Sequence, residues 1–314
     1  ITVLIAGSFT VSALMKSNNR RTQSPDQANH PTAEFWQEIG KTKGKTWVAM
    51  QPGQETQLRA RNFRSLTLNR DAMERALALA PREFTRAAQA TSYVISLPAP
   101  GGEFQRFRVL ESPVMEAGLA ERHPDIKTYS GRGIDDTSAT LRFDLTPLGF
   151  HASVRGQSGN WYIDPQHHLD QSLYISYFGR DLENTHGPFV DEVEETAEEV
   201  LSELKDSSKV APSALTASGD QLRVYRLALI TDPGYAAFFG GSANVTPAKV
   251  TLINRVTQIY EEDLSIRIVL IANNDLLNLD TWEQAIGPNG PCGSAACFTL
   301  AQVTGCSSTA RNGD

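Results

Sequence analysis

Cysteine is absent from residues 1–291, and the chain's three, Cys292, Cys297 and Cys306, crowd together after that point. The long cysteine-free part therefore has no disulfide framework and must be held by a packed core. An odd count leaves one thiol without a partner, so two arrangements stay open. One is a short-range disulfide plus a buried free thiol; the other uses a fourth cysteine in downstream sequence. With no CxxC pairs and no histidine pair nearby, the three do not make a structural zinc site. Histidine is also scarce: His30, His123, His151, His167, His168 and His186 are the whole set, and none follows His186. None of the six stands in HExxH, which excludes the usual zinc-hydrolase helix within this chain. A Ser/His/Asp triad built wholly from residues after 186 is excluded too. No P-loop and no GxGxxG is present, and "FGGSAN" is a glycine turn rather than a phosphate cradle. No catalytic, cofactor-binding or metal-ligating residue can be assigned.

Positive charge is in deficit, with 29 Lys+Arg against 36 Asp+Glu and a net charge of −7. Phosphate binding needs a basic face, so a nucleic-acid partner is not expected. An apolar run of about 20 residues, the length that spans a bilayer, is missing as well, so no membrane partner is expected. Ile1–Met15 carries no charge but is too short to span. It fits the apolar part of a secretory signal, with Ser12 and Ala13 near a cleavage point. Polar residues 16–31 read as a disordered lead-in. The absence of an initiator Met, and the terminal turn signal Asn312-Gly313-Asp314, lead to the expectation that the chain is a piece cut at both ends.

What remains divides in two. Residues 32–190 read as a mixed, mainly β domain. "FRSLTLN" alternates as a strand. "NRDAMERALALAP" follows as a helix capped by Asn69, with Met73, Ala76, Leu77 and Ala80 on one face and Pro81 as its stop. "SYVISLPAPGGEFQRFRVL" is a hairpin around a Pro/Gly loop. "PVMEAGLAERHP" is a short helix, and "ATLRFDLTPLGFHASVRGQSGNWYIDP" holds two or three further strands. Residues 191–206 carry eight carboxylates against one lysine and space their apolar residues as an amphipathic, solvated helix. With the Ser/Ala/Pro-rich stretch after it, 191–219 forms the boundary.

Residues 220–314 begin with "QLRVYRLALITD", a strong apolar strand. "TPAKVTLINRVTQIYEEDL" is a long helix, with Thr246 as its N-cap and Pro247 at its first position. Its buried stripe is Val250, Ile253, Val256 or Thr257, and Tyr260. "SIRIVLIANN" is a second strand, apolar on both faces and hence central in its sheet. Strand, helix and strand in this order make a βαβ-like unit with parallel strands. Residues 32–190 are expected to fold alone, whereas 215–314 alone should aggregate or order only in part.

Three features invite a functional reading and have plainer ones. Neighbours on a strand point to opposite faces, so His167-His168 is poorly arranged to chelate one metal and suits a surface or packing role. Asp135-Asp136 in "GRGIDDTSA" is a capping pair in a turn rather than a calcium site. Trp161, Tyr162 and Ile163 are core rather than a ligand stack.

Three stretches taken in order carry a resemblance. They are "FRVLESPVMEAGLAERHPDIKTYSGRGIDDTSATLRFDLTPLGFHASV", "NWYIDPQHHLDQSLYISYFGRDL" and "YRLALITDPGYAAFFGGSANVTPAKVTLINRVTQIYEEDLSIRIVLIANNDLLNLDT". Across roughly residues 45–310 the chain resembles precursors of secreted bacterial and marine zinc metalloproteases of the reprolysin-like group of metzincins. The first two stretches resemble the propeptide and the third the start of the protease domain. "GPNGPCGSAACFTLAQVTGC" looks like a cysteine loop of some members, making Cys292, Cys297 and Cys306 the disulfide candidates. The resemblance implies an α+β propeptide domain followed by an incomplete α/β metzincin-like subdomain. It further implies a secreted endopeptidase acting on protein or peptide substrates through zinc-activated water, with an intramolecular propeptide–protease contact. Because the family's HExxHxxGxxH helix would lie downstream of Asp314, no ligand or catalytic residue carries over. Zinc is expected for the full-length protein and not for this chain. The rival reading is a non-enzymatic secreted binding or adhesion module with β-rich surfaces.

Overall fold

Alternating apolar positions along successive short segments govern most of residues 58–183, and the pleat sends them to one side. The computed structural model describes residues 35–39, 58–183, 221–288 and 292–300, all within the unit 31–314. The expectations for 1–31, for the acidic segment 191–206 and its linker, and for Cys306 fall outside the described residues.

Nine strands form one antiparallel sheet. They are β1 (Trp36–Glu38), β2 (Phe63–Leu68), β3 (Tyr93–Pro98), β4 (Phe104–Glu111) and β5 (Lys127–Gly133). β6 (Thr140–Thr146), β7 (Gly149–Arg155), β8 (Trp161–His167) and β9 (Asp170–Phe178) complete it. The spatial order is β1-β2-β9-β8-β7-β6-β5-β4-β3, so β3 to β9 run as a meander and β2 joins on the far side. The sheet curls until its two sides meet. Ser176 Oγ on β9 donates to Pro98 O at the end of β3 (2.7 Å), and Arg64 on β2 donates to Ala99 O (2.6 Å) and Glu103 O (3.0 Å). Gly149 opens the turn into β7 with φ +121°, and a Cβ there would stand 3.1 Å from Pro165 and from the Tyr174 hydroxyl. A side chain would be both strained and crowded at that point.

The concave side holds the core: Leu66, Phe107, Leu141, Phe143, Phe150, Trp161 and Tyr174. Trp36 closes on Phe150 and Tyr174 in edge-to-face contacts at 5.2 and 5.6 Å, a geometry the ring quadrupoles favour. Helix α1 (Arg70–Leu77) starts where the Asn69 side chain accepts from Ala72 N at 3.1 Å, and it buries Met73 and Leu77 in this core. It ends at Leu77 rather than at Pro81. Two further short helices, α2 (Arg86–Ala90) and α3 (Ala117–Arg122), flank the sheet.

Residues 221–288 supply β10 (Arg223–Leu227), α4 (Pro233–Phe238), the 20-residue α5 (Val245–Leu264), β11 (Ile266–Leu270) and α6 (Trp282–Ile286). β10 and β11 pair in parallel, from Arg223 opposite Ile266 to Leu227 opposite Leu270. Three details differ from the sequence reading. α5 starts at Val245, after Asn244, and Thr246 is not its cap; the Thr246 hydroxyl instead accepts from Asn278 Nδ2 at 3.1 Å. Pro247 still lies in the first turn, where backbone N–H groups lack intrahelical partners anyway. In the buried stripe Thr257 takes the place left open with Val256, and Tyr260 is 40% exposed. Third, β11 meets β10 on one side and a single bridge, Met115 to Leu270, on the other. On β10, Val224 and Tyr225 are 59% and 53% exposed, because among the described residues nothing packs over them.

Candidate functional site

Because strand side chains alternate, the residues between the core positions of β6–β8 face outward. There they form an unusual set: Arg142, Asp144, Ser153 and Asp164, all polar and all buried. Helix α5 lies on this outer face and buries them. Arg142, 2% exposed, sends Nη2 to Glu261 (2.5 Å) and Nη1 to Asn254 Oδ1 (3.3 Å). Asp144 Oδ1 accepts from the Thr251 hydroxyl at 2.8 Å and stands 2.9 Å from His151 Nδ1. Arg255 pairs with Asp164, which also accepts from the Tyr177 hydroxyl at 2.8 Å. Gln258 Nε2 donates to Thr140 O at 3.3 Å, and Arg155 pairs with Glu262 at 3.1 Å. Arg267 at the start of β11 completes the network by pairing with both Glu83 and Glu261. Burial lowers the pKa of the Arg142 guanidinium, the charge of Arg267 adds to this, and Glu261 opposes it. Charges this deep are tolerable only when paired and hydrogen-bonded.

The opposite flank of α5 is apolar. Val250 and Ile253 join Leu270 of β11 and Val114, Met115, Leu119 and Ile126 of the segment around α3 in a second core. The strand-like stretch Val114–Glu116 also bonds to β11: Leu270 N donates to Val114 O (2.8 Å) and Glu116 N to Leu270 O (2.9 Å). The Glu116 carboxylate accepts from Ala272 N at 2.7 Å and pairs with Arg226. These bonds, Arg226 first, hold its pKa below the usual carboxylate range. Arg122 grips Asp275 through two bonds of 2.8 Å.

Lys249, fully buried in the first half of α5, ties the stretch just after β10 to the turn at Asn274–Leu277 and the residue after it. Its ammonium donates to Leu229 O (2.6 Å), Asn278 Oδ1 (2.6 Å) and, at longer range, Leu277 O (3.5 Å). Burial pushes its pKa down to about 8, against the pull of Asp280 and Asp275. A lysine depressed in the folded state binds fewer protons there than when unfolded, so folding gains stability as pH rises from about 8 to 10.5. Comparing chemical unfolding of the native chain and Lys249→Met across that range should show the native chain gaining about 2–3 kcal/mol relative to the variant. A difference that stays flat with pH would mean the ammonium is not destabilised by its site.

The residues singled out in the sequence are not brought together. His167 is buried in β8, whereas His168 points to α4 and meets the Phe238 carbonyl at 2.6 Å. His123 lies 3.9 Å from Asp275, and His151 is held by Asp144. Asp135 pairs with Arg106 (2.6 Å), and Asp136 accepts from Ser138 N (2.9 Å) and Oγ (2.6 Å), the turn-capping arrangement. Trp161 and Ile163 are core, but Tyr162 faces outward and stacks on Tyr177 at 5.6 Å, as alternation requires. Cys292 and Cys297 form a disulfide. Among the described residues no group of three or more His, Cys, Asp or Glu side chains is placed to hold a metal ion. Nor is any described helix long and apolar enough to cross a membrane. The sequence reading missed Arg142, Asp144, Asp164, Lys249 and Arg255. Arg142 and Asp144 stand two apart inside an apolar strand, a pattern that reads as solvent-facing until the helix that covers them is placed.

Residues 221–305 match the family described as Metallo-peptidase family M12B Reprolysin-like. The matched stretch contains β10, α5 and β11, so the similarity to this metallopeptidase family falls on the parallel strand–helix–strand unit. No curated protein matches the chain. A solved structure titled "Structure of a chaperone-substrate complex" is 10% identical, with 41% of this chain and 89% of that chain covered and a TM-score of 0.27. That score is too low for the likeness to carry an argument.

Proposed function

We propose that this chain belongs to the precursor of a secreted, zinc-dependent metalloendopeptidase. In this reading residues 32–190 are its propeptide and residues from 220 onward are the first part of its protease domain. The observation that carries the reading is the reprolysin-like match over 221–305, which coincides with the parallel strand–helix–strand unit. The family is zinc-dependent in general, but the residues described here do not fit a zinc site. Among the described residues His123, His151 and His168 are engaged separately, His167 is buried in β8, and no donor triad converges. No catalytic step is therefore assigned to this chain. The zinc helix belongs, in this proposal, to sequence outside the residues given. Peptide-bond hydrolysis by zinc-activated water would be the reaction of the whole protein, and a protein or peptide its substrate.

The test is to express the gene through whatever coding sequence follows residue 314. A product that binds one equivalent of zinc, hydrolyses a fluorogenic peptide, loses that activity to a chelator and regains it with zinc would support the proposal. A full-length product with neither zinc nor hydrolysis would overturn it and favour a secreted binding module.

A further inference from the structure

We propose that a cleft on the outer face of β8 and β9 binds a carboxylate carried on an apolar or aromatic body, the chemistry of a peptide's C-terminal residue. Apart from one arginine of α5, the cleft lies outside the reprolysin-like match, and the inference does not depend on peptidase activity.

Strand alternation turns Tyr162 and Tyr177 away from the sheet's concave core, and their rings stack at 5.6 Å. With Leu58, Leu182, Arg180 and Arg255 they line a cleft of about 630 Å³, within the size range of small-ligand sites. Two glycines keep it clear. A Cβ at Gly159, whose φ is +107°, would stand 3.1 Å from Arg180 Nη1, and one at Gly179 would stand 3.1 Å from the Tyr162 ring. The hydrogen bonds show which donors are left over. The Tyr177 hydroxyl is spent on Asp164 (2.8 Å), and Arg255 pairs with the same carboxylate, so its charge is answered. Its Nε is nonetheless buried without an acceptor. The Tyr162 hydroxyl has no partner among the described residues. Arg180 is exposed and rests over the Phe178 ring at 4.1 Å, and its hydrogen bond to Ser158 O is long (3.4 Å). No carboxylate among the described residues pairs with it. A guanidinium fork with unspent donors suits a planar carboxylate, held by two parallel bonds. One unanswered cation matches the single negative charge of a carboxylate better than the double charge of a phosphate. The leucines and the ring edges are then left for the apolar part.

The experiment titrates the full chain calorimetrically with the free acid of N-acetyl-Leu-Phe, beside its C-terminal amide and phenylpropionate. Saturable binding of the acid at millimolar probe or below, with the amide at least about tenfold weaker, is the expected result. Arg180→Gln should weaken the acid at least about tenfold. Arg132→Gln, which removes the same charge from an exposed position on β5, should leave it unchanged. Both side chains are exposed, so both variants should unfold like the native chain within about 0.5 kcal/mol. Tyr162→Phe keeps the stacked ring, loses the hydroxyl and should weaken the acid by a few-fold. Phenylpropionate separates the sources. Weaker binding than the dipeptide acid supports a peptide end, and equal binding would overturn that part in favour of small free carboxylates. The whole proposal is overturned by no binding of the acid, by equal binding of acid and amide, or by Arg180→Gln having no more effect than Arg132→Gln. No arm reads hydrolysis. An inactive full-length product would therefore leave this site standing, and failure of these titrations would leave the peptidase reading standing.

Discussion

Replacing Arg142 by alanine is expected to lower the free energy of unfolding by about 3–5 kcal/mol, the cost of breaking a buried ion pair from one side. The guanidinium is 2% exposed and serves Glu261 and Asn254 at once. Its loss leaves Asn254, on the sheet-facing side of α5, with an unused acceptor and Glu261 with Arg267 alone. Water cannot easily replace the missing guanidinium while α5 stays in place, so the helix must loosen. Urea unfolding of Arg142→Ala beside Arg132→Ala would measure this. Arg132 is exposed on β5, and an exposed change of that kind should stay within about 0.5 kcal/mol. A loss of less than about 1 kcal/mol for Arg142→Ala would show that α5 is held by its apolar flank alone.

Phe143, the next residue along β6, points the other way and should be as costly to truncate for a different reason. Its ring stacks on Tyr129 at 4.7 Å with an interplanar angle of 11° and lies 5.5 Å from Phe150. It is fully buried in the curled sheet. Phe143→Ala should cost about 3–5 kcal/mol, combining lost transfer energy with the cavity left behind. Phe143→Leu, which refills much of the space, should cost distinctly less. The two alanine variants then separate two failures. The Phe143 change strikes the core of the N-terminal sheet, so it should weaken that sheet even in a piece lacking residues after 220. The Arg142 change acts through α5 and should matter little there. Equal destabilisation of such a piece by both would mean Arg142 works inside the sheet and not across to the helix.

Adjacent residues with opposite duties explain how far the sequence could be read. Alternation at Leu141, Phe143 and Leu145 marks the strand, and Asn69 before an apolar 3–4 spacing marks α1. The Pro/Gly loop between Val94 and Val109 marks the hairpin, and the run from Thr246 marks a long helix. Each is a local signal, because the period of side-chain direction and the chemistry of caps and turns act over a few residues. The cap of α5 was misplaced by the same logic. Thr246 is a good cap locally, but Asn278, 32 residues away, claims its hydroxyl.

By itself, then, the sequence marked β2, β3, β4, β6 to β8, β10 and β11 and the helices α1, α3 and α5, but not β1, β5 or β9; it also showed the crowding of cysteines and the absence of HExxH from the residues given. It also carried the resemblance of 221–305 to a metallopeptidase family. Only the tertiary structure decided that the sheet curls until β3 meets β2 and β9. It alone placed α5 over Arg142, Asp144 and Asp164, and it alone ran Val114–Glu116 along β11. The reason is distance. Polar residues on a strand look like solvent-facing residues until something covers them, and what covers these lies more than 90 residues further along the chain (Arg142 to Glu261 are 119 apart, Asp164 to Arg255 are 91). Pairing over such separations is set by shape and charge in three dimensions, for which a single sequence holds no local sign.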